Sequence, residues 1–173
     1  LGLTDEAIQN GIRRLSPVSQ RGRINLLSPG TGIEFTLVDE SYNSNPEALN
    51  SVLEDFSRWL WSGRKLAVLG DMLELGSQAK TYHREVGRRL AGLGLDIVIT
   101  VGDLTRETRR GAREAGVPAH RLVHAADSSQ AAELVLGLLR SGDLLLVKAS
   151  RGIGLDRMIR QLEAGFEVGE ASP

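Results

Sequence analysis

The stretch Phe35-Thr36-Leu37-Val38-Asp39-Glu40-Ser41-Tyr42-Asn43-Ser44-Asn45-Pro46 decides how the rest of the chain is read. Its first four residues form an apolar run of strand length, and from Pro46 the apolar positions Leu49, Val52, Leu53, Phe56 and Leu60 recur at helical spacing. Proline suits a first helical turn because it has no N–H to satisfy there, and Asn45 can cap the helix by accepting a backbone N–H. A strand, a polar loop and an amphipathic helix in that order make one step of an α/β domain.

The step repeats. Apolar strands are expected at 66–69, 97–101, 121–123 and 144–147, alternating with a helix through Tyr82, Val86 and Leu90 and with helices over 104–115, 129–139 and 155–162. Short continuous apolar strands are buried on both faces, which requires a parallel sheet covered by helices on each side. Upstream, Ile24-Asn25-Leu26-Leu27 lies between turn signals at Pro17, Gly22, Pro29, Gly30 and Gly32 and reads as an edge strand. The expected fold is α/β: a Rossmann-like, doubly wound, mostly parallel sheet of about six strands with an antiparallel edge strand. Residues 34–165 make this domain, 17–33 are linker and edge strand, and 166–173 are a polar tail. Residues 4–15 predict a helix, capped by Thr4 or Asp5, whose Ile8, Ile12 and Leu15 have little to pack on locally. With Leu1 in place of an initiator methionine, this opening predicts a start cut from something larger.

Composition excludes several function classes. At 173 residues, 41% of them hydrophobic, the chain can bury one ordinary core. Its 21 basic and 22 acidic residues are mixed along the sequence, so no nucleic acid and no anionic membrane surface is expected as partner, and a small polar ligand is. The absence of cysteine removes thiol nucleophiles, disulfides and cysteine zinc sites and fits a reducing, cytoplasmic setting. No apolar run approaches the roughly 20 residues that span a bilayer, and no signal-peptide pattern opens the chain, so no membrane insertion is expected.

Ligands of open α/β sheets bind outside the carboxyl ends of the strands. Four loops occupy such places: residues 39–46, 70–76, the pair Gly102-Asp103, and 148–152. The first gathers seven polar or hydroxylic residues suited to recognising hydroxyls or phosphate; turn and capping chemistry is the plainer account, and Asn45 alone satisfies it. The second sets Asp71 and Glu74 among glycines, either to orient an ammonium group or a neighbouring basic side chain, or as an ordinary βα turn. In the last, Lys148, Ser150 and Arg151 follow a strongly apolar strand, which suits a carboxylate or phosphate as well as a solvated basic turn. His83, His120 and His124 lack metal-ligand spacing and read as surface or structural residues; Trp59 and Trp61 read as packing or interdomain contacts. Nothing matches Gly-x-x-x-x-Gly-Lys-Ser/Thr, and Gly152-Ile153-Gly154 meets Arg157 where a third glycine belongs, so neither a P-loop nor a dinucleotide fingerprint is present.

The run from Leu37 to Pro46 resembles the opening of the carboxyl-terminal domain of the Mur ligases, in particular those that add D-alanyl-D-alanine. Leu69-Gly70-Asp71-Met72-Leu73-Glu74-Leu75-Gly76, His83-Arg84-Glu85-Val86-Gly87 and Leu146-Val147-Lys148-Ala149-Ser150-Arg151 continue it in the family's order over about 17–162. Tyr42-Asn43-Ser44-Asn45 favours that branch over ligases of other amino acids and folylpolyglutamate synthases, which usually carry histidine-containing loops there. The resemblance makes residues 1–16 the last helix of a preceding, truncated P-loop ATPase domain, against which this domain packs.

It also implies a reaction, in which ATP phosphorylates the carboxylate of UDP-N-acetylmuramoyl-tripeptide and the amine of D-alanyl-D-alanine displaces phosphate, assisted by Mg2+ held mainly by the preceding domain. Carried over by position, Arg23 is catalytic near the ATP phosphates, with Arg21 as the alternative. Asp39 or Glu40 holds the ribose and Asn43 lies in the same closing loop; Asp71, Lys148, Ser150 and Arg151 line the dipeptide side. No metal ligand is assigned to this chain. Ala149 stands where the family usually has glycine, which bears on how closely backbone there can approach a ligand. The competing expectation, from another class, is a non-catalytic Rossmann-like module that binds a nucleotide or anion.

Overall fold

The computed structural model describes residues 22–28 and 33–170; the helix expected at 4–15, Arg21 and the remaining linker residues lie outside them. The elements are β1 (Arg23–Ser28), β2 (Phe35–Glu40), α1 (Pro46–Arg58), β3 (Lys65–Gly70), α2 (Ala79–Arg89), β4 (Ile97–Val101), α3 (Thr105–Glu114), β5 (Leu122–Ala125), α4 (Ser128–Leu138), β6 (Asp143–Lys148), α5 (Leu155–Glu163) and β7 (Glu167–Glu170). They form one sheet in the order β5-β4-β3-β6-β2-β1-β7. The first five in that order are mutually parallel, while β1 runs antiparallel to both of its neighbours.

Alternation along each strand divides the core in two. Leu49, Leu53 and Phe56 of α1, Val86 and Leu90 from α2 and its end, and Ala112 of α3 cover Ala67, Leu69, Val98, Leu144 and Leu146 on one face. Ala131 and Val135 of α4 and Met158 and Leu162 of α5 cover Leu66, Val68, Ile99, Leu145 and Val147 on the other. Each fully buried Leu, Ile, Val, Met or Phe side chain among these contributes roughly 1.5–3 kcal/mol of transfer free energy.

The expected doubly wound fold is therefore present, with three local differences. The segment expected as a polar tail adds a seventh strand: Phe166 packs edge-on against Phe35 at 5.2 Å, and β7 then pairs with β1, so β1 is not the edge. Helix α1 stops at Arg58, before the expected Leu60, which is 99% exposed. Trp59 turns out of the helix to pack on Phe56, and the Lys65 ammonium donates to the Ser57 and Trp59 carbonyls at 2.7 and 2.6 Å, satisfying acceptors that the helix end leaves open. On α2 the inward position is His83 rather than Tyr82, which is 38% exposed.

Helices α2 and α3 touch backbone to backbone. A Cβ on Gly87 would stand 1.9 Å from the Thr108 carbonyl oxygen, and one on Gly111 would stand 2.0 Å from that of Arg84. Gly87→Ala must push the helices apart and is expected to destabilise the chain by about 2 kcal/mol or more. Gly137→Ala, in α4 with nothing near the added methyl, is expected to stabilise by roughly 0.5–1 kcal/mol. Urea unfolding of the two variants checks both signs.

Candidate functional site

Strand β6 lies between β3 and β2, and its following helix α5 covers the face opposite to α1 and α2, which follow its neighbours. The chain thus changes side at the carboxyl end of β6, where open α/β sheets form their binding crevice. Three of the four expected loops meet there. The Ser150 hydroxyl donates to the Ser44 carbonyl at 3.2 Å and accepts from the Leu73 N–H at 2.9 Å, while the Ser150 N–H donates to the Asp71 carbonyl. Ser150, 6% exposed, is thereby the pin that joins the loops after β2, β3 and β6.

Lys148 is buried to 3% exposure, and its ammonium donates to the Asn43 carbonyl at 2.8 Å and faces the Glu40 carboxylate at 3.6 Å. Burial pulls its pKa below the usual lysine value, against the pull of Glu40. Asp39 is likewise buried, and one of its oxygens accepts from both the N–H and the hydroxyl of Ser41 at 3.0 and 2.6 Å. Asn45 caps α1, accepting from the Ala48 N–H at 2.8 Å. Asp39, Lys148 and Ser150 therefore shape the loop, whereas Glu40 is half-buried and Asn43 and Arg151 are exposed. The Arg151 guanidinium lies 5.9 Å from the centre of the Tyr42 ring, a cation–π contact that bridges the loops after β6 and β2.

Asp71 lies near His83 and His124, but its hydrogen bonds go to backbone. Its two oxygens accept from the Leu104 and Thr105 N–H groups at 3.2 and 2.8 Å, where a carboxylate satisfies the open donors of the α3 amino terminus. Gly102 has a φ of +102°, and a Cβ there would come within 2.6 Å of the Asp71 carboxylate, so the tie demands glycine. Glu74 is exposed and is the one non-glycine residue with positive φ, +62°, among the described residues. Ala149 is fully buried, and a Cβ on Gly70 would meet its methyl at 2.6 Å. Its side chain therefore fills the core, and the absence of one at Gly70 preserves the close approach of β3 and β6.

Arg23 stands opposite Asp39 in the β1–β2 register, beside this end of the sheet. Its side chain is 44% exposed and pairs with Glu163 of α5 at 3.7 Å, and the same carboxylate oxygen accepts from the buried Asn25 amide at 3.1 Å. The sequence did not single out Glu163 or Asn25, since their pairing spans 138 positions.

His83 is the structural member of the histidines. Nε2 accepts from the Met72 N–H at 3.1 Å, which places the proton on Nδ1, 2.9 Å from the Thr108 hydroxyl. Burial holds its pKa below the ordinary 6.5, outweighing the nearby Asp71 carboxylate. Below pH ~6.5 the unfolded chain takes up a proton that the folded chain refuses, so stability present above that pH is lost as pH falls. The fall in Tm between pH 7 and 5.5 is expected to be smaller in His83→Gln, the histidine accounting for at most about 1.4 kcal/mol one unit below its free pKa.

Among the described residues no group of three or more His, Cys, Asp or Glu side chains could hold a metal ion, and no helix is long and apolar enough to cross a membrane.

The sequence profile described as "Mur ligase, glutamate ligase domain" matches residues 22–151. The chain is similar to UDP-N-acetylmuramoyl-tripeptide--D-alanyl-D-alanine ligases: 29% identity to that of Bacillus subtilis, over 93% of this chain and 34% of the relative, and 31% to that of Mycobacterium tuberculosis H37Rv, over 99% and 36%. It thus spans about a third of the length of these curated relatives. Among solved structures, it resembles the MurF ligase of Thermotoga maritima in complex with ADP, with TM-score 0.67, 27% identity and coverage of 88% of this chain and 32% of that one. MurF from Acinetobacter baumannii shares the fold, with TM-score 0.77 at 23% identity over 94% of this chain and 34% of that one. A profile match over most of the domain, on a sheet whose strand-end loops meet as described, establishes that the chain belongs to the Mur ligase family.

Proposed function

We propose that the chain is the carboxyl-terminal domain of an ATP-dependent ligase that joins D-alanyl-D-alanine to UDP-N-acetylmuramoyl-tripeptide, in peptidoglycan precursor synthesis. The observation that carries this reading is the pinned rim around the end of β6, in a chain whose relatives bear that ligase's name. ATP transfers its terminal phosphoryl group to the tripeptide carboxylate, the dipeptide amine attacks the acyl phosphate, and phosphate leaves. Both steps build negative charge on phosphoryl or carbonyl oxygens, and a guanidinium stabilises that charge.

Arg23 suits this role because it is exposed beside the rim and is only weakly held by Glu163. Glu40 suits the ribose hydroxyls better than Asp39 does, since an Asp39 oxygen is already committed to Ser41. Asn43 and Arg151 offer an exposed amide and cation to the ligands. Asp71, Lys148 and Ser150 contribute by holding the loops that carry those groups. Magnesium would neutralise phosphate charge from ligands in the preceding domain, for which the described residues provide no cluster. That preceding domain also supplies the phosphate-binding loop and packs against this one.

An ATP-dependent ligation assay of the full-length protein, with D-alanyl-D-alanine competing against single amino acids, tests the assignment. Incorporation of the dipeptide with matched release of ADP and phosphate is expected; incorporation of a single amino acid instead would refute it. In the same enzyme Arg23→Ala is expected to lower kcat on the order of 10²-fold while dipeptide binding changes little, and an unchanged kcat removes Arg23 from the mechanism. The 173-residue chain alone is expected not to turn over ATP, and steady hydrolysis stopped by Asp39→Ala would contradict this.

A further inference from the structure

Away from the rim, Arg106, Arg109, Arg110 and Arg113 line a depression of about 450 Å³ on the outer side of α3, with Glu114 at its border. Their spacing places all four on one helical stripe. The local carboxylates do not serve them equally. Arg106 faces Asp103 at 3.5 Å, and Arg110 faces Glu107 and Glu114 at 3.9 and 3.6 Å. Glu114 is further committed to Arg84 and Arg88. Arg109 and Arg113 have no ion pair among the described residues.

Two buried polar atoms nearby also lack partners. Among the described residues Arg109 Nε has no hydrogen bond, and neither has Nε2 of His124, which is left as an acceptor because Nδ1–H donates at 3.0 Å to a Thr100 hydroxyl that itself donates to the Val123 carbonyl. The Arg106 and Arg109 charges act on His124 and, after burial, help hold its pKa below the ordinary value. Four like charges at helical spacing repel one another, so an anion with several acceptor oxygens would relieve the repulsion and accept from the terminal guanidinium N–H groups of Arg109 and Arg113.

We propose that this face of α3 is a binding site for a phosphate group, clamped between the guanidinium forks of Arg109 and Arg113. Their four-residue separation sets them neighbours on the helix, and a phosphate dianion presents enough oxygens to accept from both at once, whereas a carboxylate has two. Arg106 and Arg110 form the walls. The site lies beside α3 rather than at the end of β6, so it is independent of the ligase reading and of its ATP.

Thermal unfolding of the 173-residue chain in about 20 mM inorganic phosphate, against sodium chloride of equal ionic strength and pH, tests the proposal. Ligand that binds only the folded state raises Tm, here by roughly 3 °C or more for millimolar affinity. The Arg109→Gln/Arg113→Gln double variant should show an unchanged or higher Tm in chloride and lose that gain. The same two proteins titrated with a phosphate monoester and with diphosphate, by amide and guanidinium NMR shifts, identify which source binds tightest. Shifts confined to α3 and His124 in the wild type, absent in the variant, are expected. Equal Tm gains in both proteins, or phosphate-induced shifts at the strand-end loops instead of α3, would overturn it.

Discussion

Strand β6 is buried along its whole length and hydrogen-bonds to β2 on one side and β3 on the other, so the molecule is built around the strand that comes last in sequence among the parallel five. Because its interior residues face helices on both sides, it tolerates only apolar side chains there, and Leu144 to Val147 are fully buried. Its first polar residue at the carboxyl end is Lys148, whose ammonium cannot reach bulk water and turns instead to the Asn43 carbonyl and Glu40. Two residues on, Ser150 ties β2's loop to β3's loop. The register of one strand therefore fixes three loops together, and the groups left exposed on them inherit a defined spacing.

This arrangement separates groups that hold from groups that bind. Asp71 looks in sequence like a ligand carboxylate, but it is committed to the start of α3, and a left-handed Gly102 makes room for it. Removing such a carboxylate would leave buried N–H donors unsatisfied, at a cost of about 1–3 kcal/mol. Arg23, Asn43 and Arg151 are exposed, and Glu40, although it faces the buried Lys148 ammonium at 3.6 Å, stays half-buried at the rim, which is why the proposed chemistry rests on these four. Rigid support beneath exposed polar groups is what positions a ligand without later reorganisation.

The sheet was legible because its strands are continuous apolar runs and its helices carry one apolar face, both of which follow from burial alone. Asn45 as a cap was legible for the same local reason. β7 was not, because Glu167-Val168-Gly169-Glu170 has no apolar periodicity and owes its place to Phe166 on Phe35, a contact across 131 positions by their numbering. Leu60 was misassigned because helical spacing continues past a helix whose end is decided by Lys65 and Trp59. For the site, sequence located the loops at the strand ends but not which side chains would be committed inside them, since the partners of Asp71 and Ser150 lie 33 to 106 positions away. The arginine stripe of α3 was present in the sequence, but the balanced charge of the whole chain concealed it.

In the proposed function the loops after β2, β3 and β6 act as one ligand-facing rim. Hydrogen–deuterium exchange of the full-length protein, with and without a non-hydrolysable ATP analogue and D-alanyl-D-alanine, tests it most directly. Joint protection of residues 39–45, 71–76 and 148–154 is expected, with residues 59–64 and 140–143 at the opposite end of the strands unchanged. Protection confined to that opposite end, or to one loop without the other two, would contradict it.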